Sequence, residues 1–199
     1  ESALEGAMKA HGMSYEIQPN EAAFYGPKID FQVRDAIGRI WQLATVQLDF
    51  NLPERFDVTY VDADNSEKRP VVIHRAIFGS FERFIGILIE HYEGKFPVWL
   101  SPVQVKVLTV STPSVEYGRK VFEKIQQSGV RVEADLGDEK IGAKIRTARL
   151  ERVPYMLVIG QKEEESETVS VRGRETGDEG PQPLQAFIER VRKEGEMEF

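Results

Sequence analysis

The sequence predicts a protein of two unlike parts: an α+β half built on an antiparallel sheet with helices, then an α/β half with a mostly parallel sheet. Three observations carry this. Before residue 97 short strand-like runs succeed one another through tight turns, the rhythm of antiparallel pairing. After residue 102 strand-like runs alternate with helical stretches of about ten to fifteen residues, which marks an α/β layer. Between them Pro97 and Pro102 interrupt any regular element and set a boundary.

In chain order, residues 1–12 read as a short amphipathic helix with Leu4, Ala7 and Met8 near one side and Gly12 as its stop. Residues 15–18, 29–35, 39–49 and 58–61 read as strands, separated by Gly26-Pro27, Gly38, Asn51-Leu52-Pro53 and the turn 62–66. Ile29, Phe31 and Val33 alternate with polar partners, which suits a strand with one buried face. Residues 71–77 form a further strand. Ser80, after Gly79, is the N-cap of a helix running to Glu90 that is apolar on almost every face, and such a helix is buried. In the second half, strands at 103–110, 130–134, 155–159 and 168–172 alternate with helices at 114–128 and 141–152, and a helix at 184–194 closes the chain. Glu163-Glu164-Glu165 reads as a short acidic loop, and no internal repeat is visible.

The 199 residues, 41% apolar and 30% charged, describe an ordinary globular chain with room for one large domain or two small ones. No run approaches the ~20 apolar residues of a membrane span, and the first residues resemble no signal peptide. With no cysteine, disulfides and thiolate metal ligands are excluded, and a reducing cytoplasm is the expected location. A net charge of −7 argues mildly against a nucleic-acid partner. A local basic stretch argues the other way: Lys140, Lys144, Arg146, Arg149 and Arg152 face only Glu151 as an acid. It is either a solvated helix face or a phosphate-holding one.

Four groups of residues carry possible chemistry. Arg83 sits within the apolar helix and must find an anion, because an unpaired buried charge is expensive. That anion is Glu82 or Glu90 in a structural ion pair, or a ligand phosphate, which a guanidinium matches in shape and charge. His74 closes an apolar strand and is either a satisfied core residue or a metal ligand. Gln42 and Gln47 are costly in an apolar strand unless partnered or wet, and period-two spacing does not decide which. Asp138, Glu163 and Arg172 lie on loops or strands around the basic helix. His11 and His91 read as surface histidines.

The order of motifs narrows these alternatives. Tyr25-Gly26-Pro27-Lys28-Ile29-Asp30-Phe31 is followed by Trp41-Gln42-Leu43-Ala44-Thr45-Val46-Gln47-Leu48-Asp49-Phe50, then by residues 74–90 and by Phe96-Pro97-Val98-Trp99-Leu100-Ser101-Pro102. This series closely resembles the threonyl-tRNA synthetases, class II aminoacyl-tRNA synthetases, over essentially the whole chain. The resemblance implies that residues 1–99 are the C-terminal part of the class II catalytic domain, with its antiparallel sheet, and that residues 100–199 are an α/β anticodon-binding domain. The implied reaction is ATP-dependent activation of threonine to threonyl-adenylate, then transfer to the 3′ end of tRNA(Thr).

Carried over position by position, the resemblance assigns Arg83 to the third class II signature, where it holds the ATP triphosphate, and pairs it with Lys28 in catalysis. Tyr25, Thr45, Gln47 and Ala76 would line the threonine pocket, and Gln42, Gly79 and Ser80 would join Arg83 at ATP, bound with Mg2+ as substrate. His74 would be one zinc ligand, alongside a cysteine and a histidine earlier in the chain that this sequence lacks, so zinc is expected in the intact enzyme and not in this chain alone. The metal answers a discrimination problem: an apolar pocket separates valine from threonine by only about 100-fold, whereas a metal engaging the hydroxyl penalises its absence. Asp138, Glu163 and Arg172 would read the anticodon. Leu43-Ala44 departs from the cysteine-glycine of many relatives, and Asp138 from their asparagine. A homodimer is implied for the intact enzyme, no membrane partner is implied, and the chain alone is expected to be an inactive fragment. The alternative is a non-catalytic tRNA-binding or regulatory protein built on a synthetase scaffold. Retention of Lys28, Gln47, His74 and Arg83 together speaks against it.

Overall fold

The computed structural model describes residues 1–196 and divides into two compact units, Glu1–His91 and Tyr92–Phe199. The last three residues of the second expected domain, 197–199, lie outside the described residues.

The first unit opens with helix α1 (Ser2–Ala10). Strands β1 (Lys28–Arg34) and β2 (Ile40–Asp49) follow, then the short helix α2 (Asn51–Arg55), the two-residue strands β3 (Tyr60–Val61) and β4 (Glu67–Lys68), strand β5 (Val72–Ala76) and helix α3 (Phe81–Tyr92). β1, β2 and β5 form an antiparallel sheet in that order, with β2 central, and β3 and β4 form a separate hairpin. The β1–β2 turn is tied by the Asp35 carboxylate, which accepts from the Ile37 and Arg39 amides, the Arg39 guanidinium and the Trp41 indole.

Four expectations for this unit are corrected. Residues 15–18 are not a strand: none of the three sheet strands pairs with them, and Tyr15 instead bonds Glu5 of α1 through its hydroxyl at 2.8 Å. Asn51-Leu52-Pro53, expected as a turn, instead opens α2 (Asn51–Arg55), because Asp49 accepts the Asn51 and Leu52 amides at its start. Helix α3 is not buried; Phe81 keeps 78% of its surface exposed, and Ile85 and Ile89 about half. A three-stranded sheet offers one covering layer, which an all-round apolar helix cannot satisfy. Finally, neither Glu82 nor Glu90 is the partner of Arg83, since Glu90 pairs with Arg39.

The second unit carries β6 (Val105–Thr109), α4 (Val115–Gln127), β7 (Val132–Asp135), α5 (Ile141–Leu150), β8 (Tyr155–Ile159), α6 (Gln161–Glu165), β9 (Thr168–Gly173), β10 (Gly177–Pro183) and α7 (Leu184–Gly195). Its five strands run in the order β10-β9-β8-β6-β7. The sheet is mixed: β7-β6-β8 is parallel, as an α/β layer requires, while β9 and β10 add antiparallel at one edge. On one face Val105, Val107, Leu157, Ile159, Val169 and Val171 meet Val121 and Ile125 of α4 and Phe187, Ile188 and Val191 of α7. On the other, Leu108 and Met156 meet Ala148 of α5.

The acidic stretch 163–165 belongs to α6, not to a loop, because Glu163 turns back to accept the Gly160 amide and caps the helix start. Lys144 does not join the basic face. It is 1% exposed, and its ammonium donates to the carbonyls of Thr109 (3.0 Å), Asp135 (3.1 Å) and Gly137 (2.6 Å). Lys140, Arg146, Arg149 and Arg152 remain exposed.

Candidate functional site

In the first unit one face of the sheet is polar, and strand register explains why. Lys28 stands opposite Gln47, Asp30 opposite Thr45, Gln47 opposite His74, and Thr45 opposite Ala76. Directly opposed residues share a face and successive residues alternate, so Lys28, Asp30, Thr45, Gln47, His74 and Ala76 lie together. Gln42 has the wrong parity to join them, yet it does. Phe31 pairs with Ala44 and Gln32 with Gln42, leaving Leu43 as an extra residue in β2, and this bulge returns Gln42 to the face of Asp30 and Gln32.

The side chains of this face are held by one another. Tyr25 donates its hydroxyl to Gln47 Oε1 at 2.7 Å, and its ring stands edge-on to His74 with centroids 5.8 Å apart. The Asp30 carboxylate accepts from Thr45 Oγ1 at 2.8 Å and pairs with the Lys28 ammonium. Gly26 brings Tyr25 into place: its φ is +155°, and a Cβ there would lie 2.1 Å from the Leu48 carbonyl oxygen.

The segment from β5 to α3 closes over the bulge. Gly79, at φ +70°, approaches so near that a Cβ would sit 3.1 Å from the Leu43 carbonyl oxygen. Ser80 Oγ accepts the Arg83 amide at 3.2 Å, the N-cap bond expected of it. Arg83 Nη1 donates to the Gln42 carbonyl at 2.9 Å, and the side chain is exposed. Gln42, Gly79, Ser80 and Arg83 thus gather at one end as an exposed group, while Tyr25, Lys28, Thr45, Gln47, His74 and Ala76 form a half-buried group.

Asp49 and Asp30 were not among the residues singled out from sequence. Asp49 is 1% exposed and bonds His74 Nε2 at 2.8 Å. Burial pushes its carboxyl up, but the His74 imidazole and the Leu52 and Asn51 amides outweigh that and hold it below the usual carboxylate range. An acid two residues after Gln47, and one two residues after Lys28, were the available signals, since each falls on the face of its polar neighbour. For a metal, this face offers the single imidazole of His74; among the described residues no group of three or more His, Cys, Asp or Glu is gathered to hold one. One anchored imidazole fits one leg of a larger site.

In the second unit the carboxyl ends of β7, β6 and β8 lie side by side, the usual location of a site in such a sheet. Asp138 follows β7 and accepts from Thr112 Oγ1 at 3.4 Å, while Glu163 follows β8. Arg172 is set apart from them: it pairs with Met156 near the start of β8, and its guanidinium donates to Asp178 at 2.6 Å.

The chain matches two described families in succession. Residues 4–92 match the "tRNA synthetase class II core domain (G, H, P, S and T)", and residues 104–194 match the "Anticodon binding domain". It is 57% identical over 190 residues to a threonine–tRNA ligase of Acetivibrio thermocellus, covering 96% of this chain and 30% of that protein. It is 53% identical over 197 residues to one of Clostridium novyi, covering 98% and 31%. The chain therefore spans about a third of the length of these curated relatives. A crystal structure described as the RNA binding domain of threonyl-tRNA synthetase from Cryptosporidium parvum Iowa II superposes with a TM-score of 0.87 at 39% identity, over 99% of this chain and 50% of that one.

Proposed function

The chain belongs to the threonyl-tRNA synthetase family, and from that premise we propose that it is part of a threonine–tRNA ligase. The activity is ATP-dependent formation of threonyl-adenylate and transfer of threonine to tRNA(Thr). Residues 1–99 are the end of the catalytic domain and residues 100–199 the anticodon-binding domain. The intact enzyme is a cytoplasmic homodimer, and no described helix is long and apolar enough to cross a membrane.

The observation that carries this reading is the polar face of the β1–β2–β5 sheet, assembled across three strands and a bulge. Its half-buried group suits a small polar amino acid. Tyr25 fixes Gln47, Asp30 fixes Lys28 and Thr45, and Ala76 leaves room at the strand end. Its exposed group suits a nucleotide. Arg83 brings positive charge toward the triphosphate of a Mg2+-bound ATP, Gly79 allows close backbone approach, Gln42 and Ser80 supply polar contacts, and Lys28, held by Asp30 in the half-buried group, acts from the amino-acid side. As threonine attacks the α-phosphate, charge grows on the leaving pyrophosphate, and the Arg83 guanidinium, anchored by one nitrogen at the Gln42 carbonyl, would stabilise it by ~3 kcal/mol. His74 would be one protein ligand of a Zn2+ ion, which when bound offers a contact that threonine's hydroxyl satisfies and valine's methyl does not.

Asp138 and Glu163, past the carboxyl ends of β7 and β8, read anticodon bases by their edges, and Arg172, set apart on β9 and paired with Asp178, makes a separate contact to the same loop, with the exposed basic residues of α5 on the phosphates. Anisotropy of a labelled tRNA(Thr) anticodon hairpin with this chain tests that half. Preference for the natural anticodon over a substituted one, weakened about 10-fold in Glu163→Ala, is expected. Equal binding of both hairpins would contradict it.

A further inference from the structure

We propose that Asp49 is a positioning residue that fixes the tautomer and heading of His74, so that the imidazole presents Nδ1 to the amino-acid site. Asp49 closes β2 and is almost wholly buried, and its two oxygens have separate duties. Oδ1 accepts the amides of Asn51 at 2.8 Å and Leu52 at 3.0 Å, which prevents the carboxylate from rotating. Oδ2 lies 2.8 Å from His74 Nε2. An ionised carboxylate only accepts, so Nε2 must carry the hydrogen, and the lone pair of the neutral ring falls on Nδ1. The ring is held on a second side by the edge-on Tyr25 and lies beside Gln47, its register partner. Histidines that ligate metals commonly give their other N–H to a carboxylate, which orients the ring and raises its basicity. The inference rests on the reading of His74 as a ligand, but the tautomer itself does not.

The double duty of Asp49 makes Asp49→Asn a sharp test. The two backbone amides require an oxygen, so the amide oxygen takes the Oδ1 place and the NH2 group faces Nε2. Nε2 must then accept, and the ring hydrogen moves to Nδ1. The chain has three histidines, so 15N-histidine labelling yields three imidazole systems, with His74→Ala assigning the third. At pH 8, long-range 1H–15N spectra should show His74 as the Nε2–H tautomer in the wild type and as the Nδ1–H tautomer in Asp49→Asn, with His11 and His91 unchanged. A wild-type His74 that is Nδ1–H or an even mixture overturns the proposal, as does a folded Asp49→Asn chain with the tautomer unmoved; if that variant fails to fold, the wild-type tautomer decides. Zinc retention by the natural protein containing this chain separates the two readings. Asp49→Asn should weaken it about 10- to 100-fold. If neither Asp49→Asn nor His74→Ala alters retention while the tautomer behaves as stated, the ligand reading fails and the assignment of Asp49 to the tautomer stands.

Discussion

The Lys144 ammonium is shut away from water and donates to the ends of β6 and β7 and to the loop that leads to Asp138. Lys144→Met keeps the length and removes the donor, leaving inward-turned carbonyls without partners. A loss of about 3 kcal/mol in unfolding free energy is expected, read by urea denaturation; a change under 0.5 kcal/mol would show that water replaces the ammonium freely. Burial of this kind was not legible in the sequence, where Lys144 sits among four exposed basic residues. The convergence of two strand ends that are 26 residues apart creates the oxygen cage, and spacing along α5 does not reveal it. The residues gathered on and beside the polar face of the first sheet were legible for the opposite reason. Tyr25, Lys28, Gln47, His74 and Arg83 stand in long ordered motifs, so their types and spacing survive without knowledge of the fold. For Asp30 and Asp49, within the same motifs, the two-residue spacing shows only that each shares a face with Lys28 or Gln47; what each carboxylate holds appears only once the strands pair.

Elements were read well where hydrophobic period and turn residues agreed, as in β2, β5, β6, β8 and α4. They were missed where local chemistry pointed elsewhere. No element is expected over residues 177–183, where Gly177, Gly180, Pro181 and Pro183 weaken any strand pattern, yet they form β10; prolines are tolerated there because β10 is an edge strand. The bulge at Leu43 was invisible too, because an extra residue shows only against a partner strand. The β1–β2 turn gives a pH prediction at this scale. Burial pushes the Asp35 carboxyl up, but the Trp41 indole, the Arg39 guanidinium and the Arg39 and Ile37 amides outweigh it and hold it at about 2, below its ordinary 3.8. A depressed pKa contributes stability that is complete above the ordinary value and lost as pH falls through the folded one. The turn should therefore hold to about pH 4 and loosen toward pH 2, and Asp35→Asn should remove this acid dependence. The Asp35 carboxyl 13C shift measures it directly, and titration near 4 would contradict the assignment.

At the scale of the whole molecule the two units differ in how much they bury. The fully buried aliphatic side chains belong to the second unit, whereas among the described residues of the first only Leu43 and Pro53 are buried apolar ones. Hydrogen exchange should accordingly be slowest in β6, β8 and β9 and faster by orders of magnitude in β1, β2 and β5, with the first unit melting at lower denaturant. Equal protection in both sheets would contradict this. The second unit also has an alkaline limit. Burial and then the Glu194 carboxylate push the Tyr155 phenol up to about 12, so the stability it contributes is complete below about pH 10 and lost as pH rises through 12. Tyr155→Phe should flatten the pH dependence in that window.

The central claim is that the polar face of the first sheet takes threonine and ATP, and threonine-dependent ATP–pyrophosphate exchange tests it most directly. The assay belongs on the natural protein containing this chain, with Arg83→Ala and His74→Ala beside the wild type. Exchange that requires threonine, falls about 100-fold in Arg83→Ala and is lost in His74→Ala is the result predicted. A folded, zinc-supplied wild type without threonine-dependent exchange would contradict the account and favour a binding protein that retains the synthetase scaffold.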